Sequence, residues 1–342
     1  MPAARSTNLN VILSNTFFGI DPRFVSSTRP QVNAELSRLT LANDEIMSWE
    51  KFLEQGGGLL IVGHGTRRVE GVQQLLELGR EMQAQQPTIP MASGFLELSQ
   101  PDIATALAEL HARRVRKVLV VPILLFEAGH ARSDIPEAVA AACRDWSMTV
   151  IGQSSPLGTH PVALQLSHLR FQEALACRRS EGCLWAGNCH RRLACQQLSP
   201  DPKARRTIAL AMVGRGTSDK TALAAMREFS RRRRALPLKS PEESLLDYCQ
   251  TGFFAGGSPS VDELLEEVAQ QPASTIVVQP HLLFEGELME QLRQKVDRWQ
   301  QRHPHQQWLV PLSLGSGRQL AETFLALASE RLGSMASSDL AR

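Results

Sequence analysis

GLLIVGHGTRRVEGVQQLLEL, residues 58–78, and TIALAMVGRGTSDKTALAAMREF, residues 207–229, share one pattern. Each has an apolar run, a Gly-x-Gly turn, and then apolar positions at helical spacing, which predicts a buried strand, a tight turn and a helix. Val72, Leu75, Leu76 and Leu78 of the first stretch, with Gly79 and Met82 just beyond it, form the helical face. Working outward, SGFLELSQPDIATALAEL (93–110) returns as TGFFAGGSPSVDELLEEV (251–268), and KVLVVPILLFEAGHARSDIP (117–136) as TIVVQPHLLFEGELMEQL (275–292). Gly94/Gly252, Pro101/Pro259, Pro122/Pro280 and Phe126/Phe284 are each 158 positions apart, while Gly63/Gly214 are 151 apart. The chain is therefore a duplicated unit. The second copy carries one insertion, for which RRRRALPLKSPEES (231–244) supplies a charged, proline-containing loop.

The remaining elements follow the same alternation. A helix is predicted from Pro101 to about Arg113, another from near Asp134 with Pro136 in its first turn, a strand at 148–153, and a helix over Pro161–Ala176. Strands alternating with helices predict an α/β fold: two tandem lobes, 56–176 and 206–335, each a parallel sheet flanked by helices. Residues 1–55 form an N-terminal extension with one amphipathic helix expected over Gln31–Gln55 or, equally, a chance upstream start. Residues 177–205 form a cysteine-rich linker and 336–342 a disordered tail.

At 342 residues the chain exceeds what one core organises. Hydrophobic residues at 43% and charged residues at 21% exclude wholesale disorder. A net charge of +2 offers no general attraction to nucleic acid, and Arg231–Arg234 is read as part of the solvated loop. No run of about 18 apolar residues occurs. The first 30 residues are interrupted by Asn10, Asn15, Asp21 and Arg23, so neither a signal peptide nor a membrane span is expected. A cytoplasmic, monomeric pseudo-dimer is the expectation.

Aligning the copies places His64 opposite Arg215, Glu97 opposite Ala255 and His130 opposite Leu288. Glycines, prolines and apolar runs occur in both copies, but these three polar groups occur only in the first. Each follows a predicted strand, where open parallel sheets hold their ligands. Singly, His64 reads as a turn residue, His130 as a helix-start residue and Glu97 as a solvated carboxylate. Their joint loss from the other copy favours chemistry, since two imidazoles and a carboxylate can bind Co²⁺, Ni²⁺, Fe²⁺ or Zn²⁺ and accept protons near neutral pH.

GHGTRR (63–68), GFLELSQPDI (94–103) and VPILLFEAGHARSDIP (121–136) resemble the CbiX family of class II chelatases, sirohydrochlorin cobaltochelatases and their ferrochelatase relatives. GRGTSD (214–219) and QPHLLFEGEL (279–288) look like the degenerate second half of its long-form members. The resemblance implies a chelatase-like fold in both lobes and a metal-insertion site at His64, Glu97 and His130, which would bind the metal and take up ring protons. The sequence does not say which histidine does which. The implied activity is nucleotide-independent insertion of a divalent metal, Co²⁺ first and Fe²⁺ or Ni²⁺ next, into sirohydrochlorin for cobalamin synthesis. Alternatives are Fe²⁺ insertion for sirohaem and a non-catalytic tetrapyrrole or metal carrier. No Walker loop or dinucleotide fingerprint is present.

Sirohydrochlorin carries eight carboxylates, so the resemblance also implies cationic contacts. Arg67 and Arg68 at the start of one helix, Arg132 after His130, and Arg215 from the second copy are the candidates, with exposed surface charge or an Arg215–Asp219 pair as the bland readings. Cys177, Cys183, Cys189 and Cys195 recur every six residues, which rejects a single helical face. A loop that gathered them would suit an iron–sulfur cluster or Zn²⁺, with His190 as a substitute ligand; free thiols in a linker are the alternative. Long-form relatives often carry a C-terminal MxCxxC motif and a histidine-rich stretch, and this chain has neither.

Overall fold

The computed structural model describes residues 48–126, 129–176, 206–238 and 243–339. After α1 (Trp49–Glu54), the first lobe runs β1 (Gly57–Gly63), α2 (Val69–Gln85), β2 (Met91–Phe95), α3 (Ile103–Ala112), β3 (Lys117–Pro122), α4 (Gly129–Asp145), β4 (Thr149–Gln153) and α5 (Pro161–Ala176). The second runs β5 (Arg206–Gly214), α6 (Lys220–Arg234), β6 (Glu243–Phe253), α7 (Val261–Ala269), β7 (Thr275–Pro280), α8 (Glu287–Arg302), β8 (Gln307–Leu309) and α9 (Arg318–Asp339). Both four-stranded sheets are parallel, ordered β2-β1-β3-β4 and β6-β5-β7-β8. The α/β reading with two duplicated parallel sheets matches this architecture.

β1 is buried along its whole length because both faces are covered. Leu60 and Val62 pack with α3 and α4 on the outer face, while Leu59 and Ile61 join an inner core that also takes Ile208, Leu210 and Met212 of β5. The two lobes thus share one apolar interior. They also exchange their last helices. α5 follows β4 in the first lobe yet reaches the second, where the Gln279 amide of β7 donates to the Ser167 carbonyl (2.5 Å) and hydroxyl (3.0 Å). α9 follows β8 in the second lobe yet packs on α2, β3 and β4 of the first.

Several expectations are corrected. A helix running unbroken through Gln31–Gln55 is excluded at Ser48, whose extended backbone (φ −78°, ψ 165°) and side chain, accepting from Lys51 N–H, cap the start of α1; residues 1–47 lie outside the described residues. α4 begins at Gly129, not near Asp134, so Pro136 lies inside it. Buried Ile135, Val139 and Cys143 at helical spacing anchor the helix despite the proline's missing N–H. Arg231–Arg234 is not a loop but the last turn of α6. Its helical phase puts Arg233 on the buried face with Met226 and Phe229, its guanidinium 4.6 Å from the centre of the Phe171 ring, while Arg231 and Arg232 hold Glu228 at 2.8 and 2.6 Å. The insertion is absorbed partly by the edge strand, since β6 has 11 residues and β2 five. Finally, α9 continues to Asp339, four residues into the segment expected to be a disordered tail, because Met335 and Ala336 extend it without a breaker.

Candidate functional site

β1 and β2 are in register at their ends, Gly63 beside Phe95. The ladder continues beyond them: Leu96 N–H donates to the Gly63 carbonyl (2.9 Å) and Glu97 N–H to that of His64 (3.1 Å). The sheet thereby sets His64 and Glu97 side by side, with Nε2 and Oε1 3.1 Å apart. Both groups stay accessible, the His64 side chain 30% exposed and that of Glu97 52%.

The glycines on either side of His64 answer to geometry. Gly65 has φ +105°, and a Cβ there would lie 1.7 Å from the Glu97 carbonyl oxygen. Gly216 repeats this, with φ +82° and 1.7 Å to the Ala255 carbonyl oxygen. The second copy makes the same ladder bonds, Phe254 to Gly214 and Ala255 to Arg215, without a histidine or a carboxylate. The turn therefore requires glycine but neither His64 nor Glu97.

A cavity of about 880 Å³ opens between the lobes. His64, Glu97 and Phe126 line it from the first lobe, and Arg215, His281 and Glu285 from the second. Of the sequence-predicted residues, His64, Glu97 and Arg215 are thus brought together. His130 and Arg132 lie in the first turn of α4, whose Asp134 and Ile135 line the same cavity; the side chains of His130 and Arg132 fall outside the described residues. Among the described residues, which exclude the His130 side chain, no three potential ligands gather around a common point. Arg67 and Arg68 are exposed and outside the cavity lining, Arg68 serving as the N-cap residue of α2. Cys177, Cys183, Cys189, Cys195 and His190 lie outside the described residues.

Two cavity residues were not anticipated. Glu285 forms an ion pair with buried Arg293 (Nη1–Oε2, 2.8 Å) and accepts from the Ser313 hydroxyl (3.1 Å). Its backbone N–H donates to the Gln74 side chain of the first lobe (2.7 Å). His281 is 1% exposed, its ring 3.8 Å from that of Phe229 and 5.4 Å from that of Phe126, centre to centre. Neither ring nitrogen has a hydrogen-bond partner among the described residues. The 158-residue offset pairs His281 with Ile123, so the signal was a polar residue where the other copy is apolar.

Burial pushes the His281 imidazole down to about 3. An unfolded chain binds a proton here below about pH 6.5, whereas the folded chain does not until about pH 3. This group's stabilisation is therefore complete above pH 6.5 and declines as the pH falls towards 3. Urea unfolding should show this residue's share of stability falling by about 1.4 kcal/mol per pH unit below 6. His281→Ile should remove that component of the slope; identical slopes in both proteins would refute the assignment.

The CbiX family model matches residues 58–174 and 209–331. A sirohydrochlorin cobaltochelatase of Priestia megaterium is 25% identical over 72% of this chain and 70% of its own length. A sirohydrochlorin ferrochelatase of Bacillus subtilis (strain 168) is 23% identical over 72% of this chain and 82% of its own. Among solved structures, SirB from Bacillus subtilis with Fe³⁺ superposes with a TM-score of 0.59 at 20% identity, covering 81% of this chain and 95% of that one, which supports the same fold. No helix among the described residues is long and apolar enough to cross a membrane.

Proposed function

Because this chain belongs to the CbiX family, we propose that it is a sirohydrochlorin chelatase, inserting a divalent metal ion into the macrocycle without a nucleotide. The observation that carries this reading is the His64–Glu97 pair, 3.1 Å apart on the wall of a cavity walled by both lobes. Relatives of both kinds, cobaltochelatase and ferrochelatase, match at similar identity. Co²⁺ and cobalamin synthesis are our assignment, with Fe²⁺ and sirohaem as the neighbouring outcome.

Insertion breaks two pyrrole N–H bonds as metal–nitrogen bonds form, so two protons must leave. His64 and His130 deliver the metal substrate and receive those protons, and Glu97, with Oε1 3.1 Å from His64 Nε2, helps hold the metal or passes protons outward to solvent. Arg215 faces the cavity and contacts a substrate carboxylate. Arg67, Arg68 and Arg132 hold further carboxylates, in keeping with the solvent exposure of the first two. The protein acts in the cytoplasm as a monomer whose two lobes take the places of two subunits.

The test is an anaerobic absorbance assay with purified protein, sirohydrochlorin and Co²⁺, Fe²⁺ or Ni²⁺ offered in turn. Many turnovers per protein, fastest with Co²⁺, are expected. Stoichiometric binding without turnover would make the protein a carrier and overturn the proposal; faster turnover with Fe²⁺ would overturn the cobalt assignment alone.

A further inference from the structure

Val69 and Leu98 are 64% and 52% exposed, more than any other large apolar side chain among the described residues. Neither lines the cavity between the lobes, but both adjoin the two loops that carry the His64–Glu97 pair. Leu98 directly follows Glu97, and Val69 opens α2 just past the Gly65 turn. Ser99 fastens the two loops together: its hydroxyl donates to the Thr66 carbonyl (2.7 Å) and accepts from the Thr66 N–H (3.0 Å).

Leu98 has φ +63°, a left-handed conformation that disfavours a branched side chain. Its counterpart in the second lobe is Gly256, with φ +62°, the residue that tolerates this turn. A Cβ at Gly256 would lie 2.6 Å from the Thr217 backbone, so that loop is closed against its neighbour with no room for a side chain. The counterpart of Val69 is Lys220. The lobe bearing the histidine–carboxylate pair thus keeps two apolar side chains in water, one of them on strained backbone. The lobe lacking the pair has neither. Fold stability explains neither residue, since both make little use of the core and glycine serves the same turn better.

We propose that Val69 and Leu98 form an apolar ledge that seats the face of the substrate macrocycle beside His64 and Glu97. This inference rests on the chelatase reading above. The surrounding charge fits such an occupant: exposed Arg67 and Arg68 lie on the same loop, so a flat ring rimmed with carboxylates meets apolar groups under its face and guanidinium groups at its edge. Two side chains offer far less area than the roughly 1,200 Å² that a stable protein partner needs. The occupant is therefore a small flat anion and not a second chain.

Leu98→Gly installs the residue that the second lobe already uses in this turn. It should raise KM for sirohydrochlorin about tenfold, leave kcat within about twofold, and leave the urea midpoint unchanged or higher, the loss of one exposed leucyl contact setting the scale. Leu98→Met should restore most of the affinity. An unchanged KM in Leu98→Gly, with or without a lower urea midpoint, would overturn the ledge. Absorbance titration with metal-free sirohydrochlorin separates this from failure of the chelatase reading. If wild-type protein binds the macrocycle but does not insert metal, weaker binding by Leu98→Gly still supports the ledge, and equal binding overturns it.

Discussion

His64→Ala is expected to lower kcat for metal insertion by about 10²–10⁴-fold, with stability changed by no more than about 0.5 kcal/mol. The two effects separate because the turn does not use the imidazole. Gly65 supplies the positive φ, and main-chain bonds from Leu96 and Glu97 hold the loop. The second lobe builds the same turn around Arg215. Removing the side chain therefore leaves the fold intact but takes away the group beside the Glu97 carboxylate. The reverse substitution tests the same logic. Arg215→His should not create a second site, because Ala255 and Leu288 stand where Glu97 and His130 would be needed. Wild-type turnover by His64→Ala would remove His64 from the mechanism.

Arg293→Met is expected to cost about 3–5 kcal/mol of stability. Arg293 and Glu285 are 2.8 Å apart, with side chains only 6% and 13% exposed. Methionine fills much of the arginine's volume but leaves a buried carboxylate whose one remaining side-chain partner among the described residues is the Ser313 hydroxyl. The loss should reach beyond the second lobe, because the segment around Glu285 also touches the first. Its N–H bonds Gln74, and its carbonyl lies so near Gly71 that a Cβ there would be 2.7 Å away. Urea unfolding should show a lower midpoint at unchanged m-value, and Arg293→Met with Glu285→Gln should recover part of the loss by removing the stranded charge. A loss of unfolding free energy of less than about 1 kcal/mol would mean that water reaches the carboxylate and that the pair does not secure the lobe junction.

What was legible in the sequence follows from the physics of each feature. The parallel sheets were legible because strands covered on both faces must be apolar throughout, as Leu59–Val62 and Ile208–Val213 are. His64 and Glu97 were legible by subtraction, since a duplicated backbone shows which residues the fold can spare. His281 does not emerge from that subtraction, because it is not a loss from the second copy but a polar gain in it, at a position that is Ile123 in the first. The exchange of α5 and α9 between lobes left no sequence signal, because an apolar helix face does not specify which sheet will cover it. Arg233 is hidden for a related reason. A run of four arginines looks solvated, yet helical phase turns one of them onto the Phe171 ring.

The most direct measurement is anomalous scattering from crystals of the protein soaked with Co²⁺ under anaerobic conditions. One ion is expected within bonding reach of His64 and His130, with Glu97 beside it, and none at the corresponding position near Arg215. A metal bound away from His64, or sites of equal occupancy in both lobes, would contradict it.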